Sequence, residues 1–223
     1  MPGAEDLAQV HARLKDRQRA ERDRHPRAMD LRVHRALSWL GRAAQEADDD
    51  VRFILLWVAF NAAFAADLGG GRLSTRDEVK AFFERVCRLD AQGRVYAAVW
   101  TRFSQEIRLF LGNPYVFPPF WAHHNGEPGY ADWEERLNTE RRAAWSCLAQ
   151  KDTAGVLRLL FERLYVLRNQ LVHGGATWAS SVNRQQVRDG AAILGTLVPL
   201  FVEVMLDHPH EDWGRPYYPV VEA

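Results

Sequence analysis

Val51-Arg52-Phe53-Ile54-Leu55-Leu56-Trp57-Val58-Ala59-Phe60-Asn61-Ala62-Ala63-Phe64-Ala65-Ala66 is apolar almost all the way round a helical wheel. Such a segment has no solvent face to offer and marks a central helix enclosed by others. Around it, helical periodicity dominates and no alternating strand pattern competes. The expected fold class is therefore all-α.

Upstream, residues 4–24 are rich in Arg, Glu, Asp, Gln and Ala, with Leu7, Val10 and Leu14 as the few apolar anchors. They read as an exposed helix that ends near His25-Pro26. From Asp30, the positions Val33, Leu37, Leu40 and Ala44 follow helical spacing. Asp48-Asp49-Asp50 then closes that helix and sits favourably at the positive start of the central one. Downstream, Gly69-Gly70-Gly71 reads as a flexible break, and Thr75-Arg76-Asp77-Glu78 as a capping-box start for a helix to Leu89. Another helix is expected over 91–111.

Residues 112–131 carry Pro114, Pro118, Pro119 and Pro128 together with Tyr115, Phe117, Phe120, Trp121 and Tyr130. They read as a long loop packed down on the bundle by its aromatics. Helices resume over 132–150 and over 152–173, the second capped by Asp152 or Thr153 and stopped by Gly174-Gly175. A last helix over 182–207 has Val187, Ala191, Leu194, Val198, Phe201 and Met205 as its apolar stripe and is expected to kink at Pro199. The domain reading is an exposed helical extension over 1–29, a bundle over 30–207 with an insert over 112–131, and an irregular tail over 208–223 lying across the bundle.

The 223 residues are 47% hydrophobic, with 8 tryptophans, enough for one sizeable core. Lys and Arg number 29 and Asp and Glu 29, so any polyanion site has to be a local patch. Cys87 and Cys147 lie far apart and suggest a reduced, cytoplasmic protein. The first residues hold no apolar run of the kind a secretory leader needs. The longest apolar stretches, 53–66 and 191–206, are short for a bilayer and are interrupted by Asn61 and Glu203, so no membrane is expected.

The chemistry concentrates in residues 152–173. Leu157, Leu160, Phe161, Leu164 and Leu171 make a seam at steps of three and four, and Arg168 falls on it. A guanidinium among leucines is costly unless it is paired or opens onto a polar cleft. Asn169 and His173 are four apart and share a neighbouring face. Arg168 and His173 are about 140° apart round the axis, so they can flank one groove without stacking. His173 sits at the helix C-terminus, where free carbonyls favour its protonated form. A structural alternative pins Arg168 on Glu162 or a carbonyl and leaves His173 a helix-end cation. Asn61 reads as a satisfied core amide. His123-His124 and His208-Pro209-His210-Glu211 lack structural-zinc spacing, and no metal or other cofactor is expected. Arg13, Arg17, Arg19, Arg22, Arg24 and Arg27 are interleaved with Asp16, Glu21 and Asp23 and read as a solvated face rather than an RNA track. No G-x-S-x-G or P-loop pattern occurs.

Arg168-Asn169-Gln170-Leu171-Val172-His173, late in a helix of an all-helical chain, resembles the motif of the HEPN family (higher eukaryotes and prokaryotes nucleotide-binding): Arg, four to six residues, His. Residues 52–61 and the continuation 174–184 resemble the bacterial Apea-like HEPN group. The similarity covers roughly 30–207. It implies an HEPN-like helical bundle, here with an extra N-terminal helix and a Pro/aromatic-rich insert. It also implies metal-independent RNA cleavage at a composite site across a homodimer, in defence or stress, with room for a regulatory or antitoxin partner. The roles carried over are proton transfer for His173, phosphoryl-oxygen contact for Arg168, and orientation of one or the other for Asn169. Some members are non-catalytic modules that bind a nucleotide or a partner protein, which is the alternative.

Overall fold

The apolar segment is a helix at the middle of ten among the described residues, and its neighbours are arranged by what they must cover. The computed structural model describes residues 6–67, 75–181 and 183–216, with Tyr218 and Val220. The helices are α1 (Leu7–Glu21), α2 (Arg27–Ala43), α3 (Asp49–Phe64), α4 (Thr75–Leu89), α5 (Arg94–Ala97, continued by a π turn over Ala98–Arg102), α6 (Ser104–Gly112), α7 (Pro118–His124), α8 (Trp133–Gln150), α9 (Thr153–Val172) and α10 (Arg184–Asp207). Among the described residues the fold is all-α apart from a two-residue antiparallel bridge, β1 (Ala66–Asp67) to β2 (Arg215–Pro216). The Gly69-Gly70-Gly71 break lies outside the described residues.

Helix α3 begins where its sequence demands. The Asp48 carboxylate accepts the N–H groups of Asp50 and Val51 at 2.9 and 3.0 Å, so the first turn is capped. Phe53, Leu56, Trp57, Ala59, Phe60 and Ala63 are buried on it. Helices α2 and α10 enclose it. Gly190 permits the close approach of α10, because a Cβ there would lie 2.7 Å from Phe53 Cε2 and 3.3 Å from Leu164 Cδ2. At the centre, Phe60 of α3, Phe83 of α4, Phe161 of α9 and Phe201 of α10 meet. Their ring centroids stand 4.5 Å apart for Phe60–Phe161, 4.8 Å for Phe83–Phe161 and 5.7 Å for Phe83–Phe201.

Helix α10, at 24 residues, falls within the helix expected over 182–207, and by length and composition alone it could cross a membrane, although its apolar stretch read as short for a bilayer. Its apolar length is taken up by the bundle, since Val187, Leu194, Leu197, Val198, Phe201 and Val202 are fully buried. Glu203 and Asp207 interrupt it for a reason. Glu203 accepts from Arg13 at 2.6 Å and Arg94 at 2.9 Å, and Asp207 pairs with Arg17 at 2.7 Å and with Arg94. Helix α1 is thereby bound to the bundle along one face, with Leu14 and Gln18 buried, while Ala8, Gln9, Ala12, Asp16, Arg19 and Ala20 are exposed as its composition suggested. Leu14 is fully buried, and the expected solvated arginine face supplies two of these ion pairs.

The helix expected over 91–111 is instead interrupted. Asp90 caps α5 by accepting the N–H groups of Arg94, Val95 and Tyr96. Its core residues Val95, Val99, Phe103 and Ile107 recur every four residues, which drifts by about 40° per step on a regular helix. The π turn, with Phe103 N–H on Ala98 O at 3.0 Å, takes up that drift. The expected loop over 112–131 contains a 3-10 turn (Pro114–Val116) and α7, each opened by proline. Val116 and Phe117 are buried, whereas Tyr115 and Trp121 stay exposed, so the aromatics are only partly packed down.

The tail is held by one buried cation. Arg32, 1% exposed, donates to the carbonyls of Ala63 at 3.0 Å, Arg215 at 2.8 Å and Gly214 at 3.3 Å, joining α2, the end of α3 and β2. Trp213 is buried beside them, its indole on His208 O at 2.9 Å and its ring 6.2 Å from Phe82. Burial, with Arg85 nearby, pulls the Arg32 guanidinium down to about 10, still charged at neutral pH. Arg32→Ala removes charge-assisted bonds from carbonyls that stay buried, and urea unfolding should show a loss of about 2–4 kcal/mol. Proteolysis near Trp213 should accelerate in the same variant. A loss below about 1 kcal/mol would mean that Trp213 alone holds the tail.

Candidate functional site

Helix α9 carries the candidate residues, and its two ends are set by side chains read in the sequence. The Asp152 carboxylate accepts Gly155 N–H at 2.9 Å at the start. The helix stops after Val172, with His173 as its C-cap, its N–H on Asn169 O at 2.9 Å, and Gly174 following at φ +71°. His173 is exposed there.

Arg168 is half-buried on the seam, but at this level the bundle no longer covers the seam, since Leu171 one turn on is also half-buried. The Arg168 Nη1 donates to Asn169 Oδ1 at 3.0 Å. Glu162, the carboxylate that the structural alternative would place on Arg168, meets Arg158 at 3.1 Å. The arginine that truly pays for burial on α9 is Arg163, whose side chain is 3% exposed. It pairs with Glu140 of α8 at 2.9 Å and lies over the Phe117 ring at 4.7 Å. Its spacing of three from Leu160 and four from Leu167 was a legible sign.

Arg168, Asn169 and His173 line one open cleft of about 1410 Å³ between α3, α7, α8 and α9. Its floor is aromatic, made of Trp57, Phe60, Phe64 and Phe161, the outer rim of the core cluster. Asn61 lines it too. The expectation of a satisfied core amide does not hold: Asn61 is half-buried, and its side chain has no hydrogen bond among the described residues. It sits one turn beyond Trp57, at the edge of the buried face rather than within it.

The cleft's cations are unequal. Arg136 meets Asp132 at 2.9 Å, Arg158 meets Glu162 and Arg163 meets Glu140, so each has a carboxylate. Arg168 differs from these lining arginines in that its bond goes to an uncharged amide. The insert forms one wall. The Tyr115 carbonyl accepts both Gln170 Nε2 at 2.6 Å and Trp121 Nε1 at 2.8 Å, tying α7 to the end of the helix that carries the motif. Of the histidines in the two other runs, His124 Nδ1 stands 2.8 Å from Phe120 O and His208 Nε2 stands 3.1 Å from Leu89 O. Among the described residues no group of three or more His, Cys, Asp or Glu is placed to hold a metal ion.

The segment after His173 is latched by the acidic run. Asp50, buried, takes Arg184 on both oxygens, at 2.5 and 3.2 Å, and accepts Ala179 N–H at 2.9 Å. Asp48 accepts the Trp178 indole at 2.8 Å. The partners lie 130 residues or so apart, so no local signal could reveal them. The Val51 N–H, the Trp178 indole and the Asp50 N–H together hold the Asp48 carboxyl below its ordinary value despite the opposing cost of burial. A depressed carboxylate contributes stability above its unfolded pKa and loses it as pH falls through the folded value, so the Asp48–Trp178 contact should weaken only as pH falls below the ordinary carboxylate range. Asp50→Ala leaves Arg184 without its carboxylate and should cost about 3 kcal/mol in urea unfolding. Hydrogen exchange over 174–181 should quicken in that variant, and unchanged exchange there would show that the latch does not hold the segment. A search against protein-family models, curated proteins and solved structures finds no match to this chain.

Proposed function

We propose that this chain is an HEPN-like, metal-independent endoribonuclease that acts as a homodimer, in the cytoplasm, in a defence or stress response. The observation that carries the reading is that Arg168, Asn169 and His173 line a single solvent-open cleft in which Arg168 bonds to an amide and, among the described residues, has no carboxylate to neutralise it. The nuclease reading needs those side chains open to a ligand, and the structural alternative needs them paired away.

The chemistry follows from the side chains. A base removes the proton of a ribose 2′-hydroxyl, whose oxygen bonds to the adjacent phosphorus. The bond from phosphorus to the 5′-oxygen breaks, and an acid protonates that leaving oxygen. Arg168, steadied by Asn169, stabilises the charge gathering on the phosphoryl oxygens. An imidazole can serve as base or acid. One protomer's cleft brings one imidazole, His173, and a two-fold axis would bring a second. The same count favours the alternative of a non-catalytic module should the chain stay monomeric.

His173→Ala should lower RNA cleavage about 10²- to 10⁴-fold with stability nearly unchanged, because the side chain is exposed. Arg168→Ala should lower it about 10²- to 10³-fold. Cleavage should survive EDTA, leave 2′,3′-cyclic phosphate and 5′-hydroxyl ends, and spare DNA. Cutting of DNA at an equal rate, or a need for a divalent metal, would overturn the mechanism. Light scattering should show a dimer at micromolar concentration, and a monomer with cleavage intact would overturn the composite site.

A further inference from the structure

We propose that the cleft beside Arg168 holds a nucleobase subsite, in which an unpaired base of an RNA strand stacks on Tyr165 and has its edge read by Asn61. This rests on the nuclease reading above and adds to it the kind of strand the site accepts. Tyr165 lies three residues before Arg168 on α9 and lines the same cleft, yet is 51% exposed. An aromatic ring left half in water at a cleft wall has its face open to a partner. Behind it stands the buried Trp57, with ring centroids 6.1 Å apart, so the platform is backed by the core.

Asn61, one turn after Trp57 on α3, offers two donors and an acceptor with no partner among the described residues. The insert lines the same cleft, where Trp121 is 37% exposed and is fixed to the Tyr115 carbonyl together with Gln170. Charge points the same way. The lining arginines other than Arg168 are matched to carboxylates, and the whole chain is neutral, so a phosphate track does not extend along the cleft. Binding away from Arg168 has to come from stacking and hydrogen bonds. A base inside a duplex has both faces covered by its neighbours, whereas an unpaired base can present one.

The test uses the full chain carrying His173→Ala, so that probes survive, and fluorescence polarisation with three labelled probes of equal length. These are a single-stranded RNA, an abasic ribose-phosphate oligomer and a duplex RNA. The single strand should bind at least tenfold tighter than either of the others. Adding Tyr165→Ala should weaken single-strand binding roughly ten- to hundredfold and erase the difference, while Tyr165→Trp should preserve it. Circular dichroism should show the fold retained, as expected for a half-exposed position. Asn61→Ala should flatten the affinity ranking among the four homo-oligomers. Equal binding of the abasic and base-bearing strands, or full binding by Tyr165→Ala, overturns the subsite. A nucleoside monophosphate that binds as tightly as the oligomer overturns the strand as ligand. The two readings fail separately. Cleavage lost in Arg168→Ala with Tyr165→Ala inert sinks the subsite alone, and Tyr165-dependent single-strand binding in a parent chain that cuts no RNA sinks the nuclease alone.

Discussion

Four phenylalanines, one from each of four helices, fix this structure: Phe60, Phe83, Phe161 and Phe201 can be buried together only if α3, α4, α9 and α10 cross at one level. Interiors packed to crystal-like density transmit such constraints outward, because a ring that shifts leaves a void or a clash. The consequence reaches the surface. Phe60 and Phe161 belong both to this cluster and to the floor of the cleft, and Trp57 lies 6.2 Å from Phe161 and 6.1 Å from Tyr165. The candidate site is therefore the open end of the core, and its walls are as rigid as the packing beneath them.

Charged groups attach the outer elements to that core. Glu203 and Asp207, spaced one turn apart on α10, collect Arg13 and Arg17 from α1 and Arg94 from α5. Arg32 gathers backbone carbonyls from the end of α3 and from the tail, and Asp50 gathers Arg184 and the segment after His173. Buried or half-buried pairs of this kind add little net stability over apolar packing, but losing one member is costly, so they enforce a particular arrangement. A balanced chain of 29 basic and 29 acidic residues is what such matching produces.

The sequence made the helices legible wherever burial has a period. The all-round apolar run with the acidic Asp48-Asp49-Asp50 before it, the cap at Asp152 or Thr153 and the Gly174-Gly175 stop placed the ends of α3 and α9 within a residue or two. It misled where the period is not 3.6, as in the four-residue recurrence that the π turn absorbs, and where few anchors met many charges, as in α1. Proline and aromatics in 112–131 signalled a break but not the helix α7 inside it. For the site, Arg168, Asn169 and His173 were legible as a spacing, and so was the conflict of a guanidinium on a leucine seam. What that seam opens onto depends on α3, α7 and α8, which local spacing on α9 does not encode. The same holds for Asn61, whose helical face was readable but whose lack of cover was not.

The arrangement of charge in the cleft bears on how such a site could discriminate. Stripping carboxylates from Arg136, Arg158 and Arg163 would turn the cleft into a general polyanion sink, binding any backbone with salt-sensitive affinity. With those arginines matched, attraction is localised at Arg168, at the same end of α9 as His173. A ligand with phosphate alone would engage only that point, whereas one that also presents a flat apolar face can use Tyr165 and the floor. Holding one strong polar contact against a broad aromatic surface is how a site secures orientation as well as affinity, since neither part alone fixes the register of the chain. Under the proposed mechanism that register is what matters, because in-line attack requires the 2′-oxygen, the phosphorus and the leaving oxygen to be aligned within reach of His173. The tether from Tyr115 to Gln170 and Trp121 then makes the insert part of the same alignment, as it fixes α7 to the helix that carries His173.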